Sequence, residues 1–325
     1  MEESKKEEKI NFMKLFEKYE KKIYWMIIFI LIFLIGLSYI FYNVLLREKN
    51  KLIENQELLK AKILEKKIQK ERKDDVINGV QAKAILVEDF ETGKIILQKN
   101  SNDLLPVASL TKLVNTLVAL EKKSLEDKIK VNSLALKSYG NYGLKGGEEF
   151  NLKDLISGML IGSVNDLAVA VALSGPKKYS KNWISFMEEM NNETKKIGAK
   201  DTIFFTETGL NVNDRILGGY STAQDIAKIV KELYKKNPEI FKSTAQKTFK
   251  LCSQKFCHQI ENTNILLEKY PEIIFSKTGY TEKAMGSLVT VVELNGKKYL
   301  IVILDSTKQG RFDDFEKILD LLIKK

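Results

Sequence analysis

Histidine, cysteine and proline are scarce in this 325-residue chain, with one, two and four residues respectively. The single histidine, His258, leaves no set of imidazoles from which to build a multi-histidine metal site or a histidine phosphorelay. Two cysteines exclude a disulfide scaffold and a four-cysteine zinc fold, and four prolines exclude a proline-rich linker protein. Concentrated charge is missing as well. The net charge of +10 comes from 53 basic and 43 acidic residues. It divides into +4 on residues 1–75 and +6 on residues 76–325. No basic arm of the kind that neutralises nucleic-acid phosphates stands out, so no nucleic-acid partner is expected. What is present is an ordinary globular balance, 44% hydrophobic and 30% charged, which rules out wholesale disorder.

One stretch departs from that balance. From Ile23 to Leu46 there is no charged residue, and at ~1.5 Å per residue these positions make about 36 Å of helix, enough to cross a ~30 Å hydrocarbon layer. Tyr24, Trp25, Tyr39 and Tyr42 lie near its ends, where amphipathic rings favour the membrane interface. Leu45, Leu46 and Arg47 follow in place of a small-residue cleavage site, which reads as an uncleaved anchor. Seven lysines precede the span, against five basic residues between Asn43 and Lys62, a bias toward an inside N-terminus. The expected organisation is a cytoplasmic charged segment over 1–22, a transmembrane anchor over 23–46, a charged helical spacer over 47–76, and a catalytic domain over 77–325 outside the cytoplasm. Residues 46–75 hold 17 charged side chains, with no glycine or proline. Leu45, Leu52 and Leu59 are seven apart, but the companion heptad positions are polar, so a spacer is preferred to a dimerising stalk.

Past Asn78-Gly79 the texture becomes mixed. Ala82–Asp89 and Lys94–Gln98 read as strands joined by a turn, and helical patterns run from about Ser109 to Lys236. Strand signals return at Lys247–Cys252, Cys257–Asn262, Ile273–Thr278, Ser287–Leu294 and Lys298–Asp305, with an Asn295-Gly296 hairpin turn between the last two. A final amphipathic helix is expected over Arg311–Lys325. Strands at both ends with helices between them imply one antiparallel sheet completed by distant segments, with helices packed on it and an inserted helical lobe.

Three short motifs carry chemistry. Ser109 and Lys112 lie three apart at a helix start behind Pro106, so the amine can reach the hydroxyl. Serine becomes a nucleophile only when a base takes its proton, and lysine serves only if its own pKa falls. Alone the spacing is weak evidence, since Ser174 and Lys177 share it. Ser163 and Asn165 sit on a tight connection between two apolar helices, where a hydroxyl and an amide can point into a cleft. Ser180 and Asn182 repeat that pattern without the setting. Lys277-Thr278-Gly279-Tyr280 ends a strand with an ammonium, a hydroxyl and a glycine. The cation and hydroxyl can hold a carboxylate, and the glycine lets a substrate backbone come close.

Ser-x-x-Lys, Ser-x-Asn and Lys-Thr-Gly in this order resemble penicillin-binding proteins and serine β-lactamases. The segments Ala84–Asn100, Ala108–Leu120, Leu155–Ala172, Thr208–Ile229 and Asn262–Thr281 are similar to low-molecular-mass D-alanyl-D-alanine carboxypeptidases. Gly209-Leu210 followed by Tyr220-Ser221-Thr222-Ala223-Gln224-Asp225 is especially so. The resemblance covers roughly residues 77–306. It implies an α/β (α+β) fold with an antiparallel five-stranded sheet, flanked by helices and carrying an inserted all-helical lobe. It implies that Ser109 is the acylated nucleophile, with Lys112 as its general base. Ser163 and Asn165 would relay protons and position the peptide. Lys277 and Thr278 would bind the terminal carboxylate, and the Ser109 and Tyr280 N–H groups would form the oxyanion hole beside Gly279. The implied partners are a peptidoglycan stem peptide ending in D-Ala-D-Ala and β-lactams as covalent inhibitors. No metal or organic cofactor is implied. Many relatives carry a C-terminal β-rich domain and a C-terminal anchor, whereas about 20 residues follow Asp305 here.

Other residues have blander readings. Glu207 with Leu210-Asn211 resembles the Glu-x-x-Leu-Asn by which some β-lactamases position a deacylating water, but the carboxypeptidase-like segment accounts for Gly209-Leu210 and leaves Glu207 incidental. Cys252 and Cys257 bracket a hairpin tip, open between a disulfide and two free thiols. With His258 they make three potential metal ligands without a fourth, so a surface histidine is the simpler reading. The expected activity is a DD-carboxypeptidase. A DD-endopeptidase, a serine β-lactamase and a non-catalytic wall-binding protein are the alternatives.

Overall fold

The apolar runs Ala84–Val87 and Leu300–Leu304 show no polar alternation, as expected of strands covered on both faces. The computed structural model describes residues 2–138, 142–174 and 183–324. It places both runs inside one antiparallel sheet. The sheet is built from β1 (Ala84–Asp89), β2 (Ile95–Lys99), β10 (Ile273–Thr281), β11 (Met285–Leu294) and β12 (Lys297–Ser306), in the order β10-β11-β12-β1-β2. This is the five-stranded antiparallel sheet expected, with the N-terminal pair joined to the C-terminal three through the β1–β12 ladder.

Side chains on these strands alternate between two cores rather than between core and water. Leu86, Val289, Val291, Leu300, Val302 and Leu304 join the larger core. Helices α2 (Thr111–Lys122), α3 (Leu152–Ile161), α4 (Asn165–Leu173), α5 (Trp183–Lys196), α6 (Ala223–Lys236) and α7 (Pro238–Ser243) contribute to it. Ile85, Val87, Leu288, Val292, Ile301 and Ile303 face a second core covered by α8 (Gly310–Ile323), through Phe312, Phe315, Ile318 and Leu319. The insertion between β2 and β10 is mainly helical, and it also carries short ladders. These are β3 (Leu105–Pro106), β7 (Gly219–Ser221) and β6 (Ile203–Phe204) in one, β4 (Lys128–Lys130) with β5 (Glu149–Asn151), and β8 (Thr248–Cys252) with β9 (Cys257–Glu261). Strands of two or three residues are too short to leave a period-2 signature, which is why helical patterning dominated that stretch.

The chain divides into two units, residues 1–70 and 71–325. From Glu2 onward the first is helix, part of α1 (Glu2–Gly79). Among the described residues α1 is the one helix long and apolar enough to cross a membrane. Within the second unit, the last residues of α1 pack on the domain. Val76 and Ile77 lie against the second core, and Arg72 Nη1 donates to the Lys324 carbonyl at 2.8 Å.

Candidate active site

The site forms where a helix start, a helix–helix connection and the edge strand of the sheet meet. Val107 donates its N–H to the Gly219 carbonyl at 3.2 Å, which ties the chain to β7 just before Ser109. Ala108 takes a left-handed φ of 45°, and a single 3-10 turn, Ala108–Leu110, leads into α2. A non-glycine residue in that conformation costs about 1–2 kcal/mol and persists because its surroundings hold it. Thr111 Oγ1 donates back to the Ala108 carbonyl at 2.7 Å. This tight entry leaves Ser109 half-buried, at the start of the helix, with Lys112 one turn on.

Lys112 is fully buried. Its Nζ donates to Ser109 Oγ at 2.9 Å, to Asn165 Oδ1 at 2.8 Å and to the Thr208 carbonyl at 2.7 Å. All three acceptors are neutral. Burial therefore pushes the amine down to about 7 from its usual 10.5, against a smaller opposing attraction from Glu207. Helix α3 ends at Gly162, Ser163 adopts a left-handed φ of 55°, and Asn165 starts α4. That reversal aims Asn165 at Lys112 and Ser163 at the sheet.

From the sheet, Lys277 on β10 is also buried, and its Nζ donates to Ser163 Oγ at 2.8 Å and to the Thr278 carbonyl at 2.7 Å. Burial, then the Lys112 and Arg311 cations, hold it well below the ordinary lysine range. Thr278 Oγ1 lies 2.5 Å from Thr263 Oγ1. Gly279 is where β10 runs against the nucleophile turn. A Cβ there would sit 2.7 Å from the Val107 carbonyl oxygen and 3.2 Å from the Ser109 nitrogen, so only glycine allows the approach. Tyr280 follows, partly exposed, with the Lys308 amine 5.4 Å and the Arg311 guanidinium 5.9 Å from its ring centre.

The structure thus brings together two hydrogen-bonded groups, Ser109–Lys112–Asn165 and Ser163–Lys277, with Thr278, Gly279 and Tyr280 beside the second along β10. Two residues not singled out from the sequence belong with them. Thr208 supplies a backbone carbonyl, which no side-chain motif reports. Arg311, buried on α8, donates from Nη1 to the Gly279 carbonyl at 2.6 Å, and burial lowers it to about 10. Nothing in its local sequence marks it. Away from the site, Cys252 and Cys257 form a disulfide across the opposed pair of the β8–β9 hairpin. His258 bonds buried Glu148 at 2.9 Å, and no cluster suited to a metal occurs among the described residues. Of the duplicate motifs, Ser174 ends α4, with its hydroxyl on the Val171 carbonyl. Lys177, Ser180 and Asn182 lie outside the described residues.

A five-stranded sheet with this helical insertion, and a serine held by a buried lysine between them, is the architecture of active-serine penicillin-recognising proteins. The sequence profile described as D-alanyl-D-alanine carboxypeptidase matches residues 68–308, and the chain belongs to that family. The D-alanyl-D-alanine carboxypeptidase DacF of Bacillus subtilis is 32% identical over 250 residues, which is 74% of this chain and 61% of that relative. The chain thus spans about three fifths of that relative's length. Among solved structures, a D-alanyl-D-alanine carboxypeptidase from Mycobacterium tuberculosis superposes with a TM-score of 0.67 at 26% identity. That match covers 76% of this chain and 92% of the other. Penicillin-binding protein D2 from Listeria monocytogenes, in its ampicillin-bound form, gives 0.64 at 28%, covering 74% and 97%.

Proposed function

We propose that this chain is a membrane-anchored serine DD-carboxypeptidase that removes the last D-alanine from peptidoglycan stem peptides and is acylated by β-lactams. The observation that carries the reading is the buried Lys112 amine 2.9 Å from Ser109 Oγ, surrounded by neutral acceptors. In its neutral form Lys112 takes the Ser109 proton as Oγ attacks the carbonyl carbon between the two D-alanines. The Ser109 and Tyr280 N–H groups receive the oxyanion. As the tetrahedral intermediate collapses, the C–N bond breaks and the leaving D-alanine amine takes up that proton, through Ser163 on its bond to Lys277. Asn165 holds Lys112 and the peptide in register. Lys277, Thr278 and the Arg311 cation behind Gly279 provide the positive surface for the terminal carboxylate. Water then releases the shortened peptide and restores Ser109.

The relative crystallised with ampicillin supports β-lactams as partners. The charge-free span and the lysines ahead of it support an anchor over residues 23–46, with residues 1–22 inside and the domain from residue 77 outside, joined by a charged spacer over 47–76. Incubating the full chain in detergent with a pentapeptide ending in D-Ala-D-Ala, and separately with a fluorescent penicillin, tests the proposal. Wild type releases D-alanine and takes the label; Ser109→Ala loses both by at least ~10³-fold. No D-alanine release and no Ser109-dependent label would end the enzyme reading. Protection of the domain from protease on intact spheroplasts would overturn the orientation.

A further inference from the structure

We infer that Glu207 is a positioning residue whose carboxyl sets the proton occupancy of Lys112, and with it the pH range over which Ser109 is acylated. This rests on the acyl-enzyme reading above. The segment Thr206–Gly209 is bound along α2. The Thr208 carbonyl takes Lys112 Nζ at 2.7 Å, and the Glu207 carbonyl takes Asn115 Nδ2, one turn deeper on the same helix, at 3.1 Å. Gly209 presses on the nucleophile turn, where a Cβ would meet the Ala108 carbonyl oxygen at 2.0 Å. Thr206 Oγ1 donates to the Leu210 carbonyl at 2.9 Å and accepts from the Gly209 N–H at 3.1 Å. The backbone of Glu207 is therefore fixed along α2, next to the carbonyl that accepts from Lys112.

Its side chain is buried, 8% exposed, and Oε2 finds no hydrogen-bond partner among the described residues. Burial raises its pKa; its own backbone N–H and then Lys112 oppose that. The other charged groups around Lys112 do not play this part. Lys277 from β10 and Arg311 from α8 are basic groups, which offer no negative charge to attract a proton onto Lys112. Buried Asp166 on α4, next to Asn165, instead turns Oδ2 to the Tyr142 N–H at 3.3 Å. Glu207 is thus the carboxylate that attracts a proton onto Lys112, while burial drives it off. The two protonations are coupled: an ionised Glu207 favours the ammonium, and a neutral one leaves burial to act alone.

Glu207→Gln keeps the shape and removes the charge, so the base-competent amine persists to lower pH. The acidic limb of the rate of Ser109 labelling by fluorescent penicillin shifts down by ~0.5–1 pH unit. That makes labelling roughly 3–10-fold faster than wild type on the limb. Glu207→Asp, which keeps the charge, leaves the limb near its wild-type position. Should Glu207→Gln fail to accumulate, Glu207→Met, neutral and apolar, must shift the limb in the same direction. All are measured on the full chain in detergent. A neutral variant whose limb stays in place overturns the inference, as does one that only slows loss of bound label, which would make Glu207 a deacylation residue. Absence of label from wild type would instead overturn the enzyme reading itself.

Discussion

Lys112 is the residue on which the chemistry turns, and its setting makes a pH prediction. Burial lowers its pKa from 10.5 to about 7, so the neutral amine is abundant above that pH and scarce below it. Penicillin acylation of Ser109 is therefore expected to fall about tenfold per pH unit below ~7, as read by gel labelling between about pH 5 and pH 9. A flat profile would count against Lys112 as the base. Stability follows the same shift. Between about 7 and 10.5 the unfolded chain binds a proton that folded Lys112 does not, so the stability cost of this residue is largest below that window and recedes as pH rises through it. The Ser109–Lys112 pair was legible in the sequence because residues three apart on a helix are neighbours wherever the helix sits. Arg311 and the Thr208 carbonyl were not. Each reaches the site through tertiary placement alone, one from the last helix and the other through a backbone atom.

At the scale of elements, the close pass of β10 over the nucleophile turn carries a prediction. In Gly279→Ala the new methyl meets the Val107 carbonyl and the Ser109 nitrogen, both backbone atoms, so the strand and the turn must separate. Labelling should drop at least ~10²-fold while circular dichroism keeps its native shape; a variant labelled at the wild-type rate would show that the approach is not needed. The β8–β9 hairpin makes a different case. Its disulfide closes a short loop, and the tip holds buried Glu148 through Ser253 Oγ at 2.7 Å and His258 Nε2 at 2.9 Å. Replacing both cysteines by serine is expected to lower unfolding free energy by about 2 kcal/mol. Equilibrium denaturation measures it, and no loss would mean that the hydrogen bonds alone hold the tip. The strand pairing was legible from the two short runs around the turn, but the bond was not, because cysteine spacing does not report Cβ separation.

For the whole molecule, the contacts of Arg72, Val76 and Ile77 within the second unit predict where the folded domain begins. A fragment starting at Glu71 should melt cooperatively. One starting at Ala82 also loses Val80 from the second core and should be less stable by about 2–4 kcal/mol. Equal melting of the two would show that these contacts are dispensable. Patterns with local causes were decided by the sequence: the charge-free span, the apolar runs of β1 and β12, the Asn295-Gly296 turn and the serine–lysine spacing. Each depends on residues close in the chain, where periodicity and steric preference act directly. Only the tertiary structure decided that Lys112 meets Asn165 across 53 positions and that Lys277 meets Ser163 across 114. It also decided that the Glu207 carboxyl acts on Lys112 and the Arg311 guanidinium on Lys277. The physical reason is burial. Desolvation and Coulomb attraction depend on distance in space and exclusion of water, and chain order encodes neither.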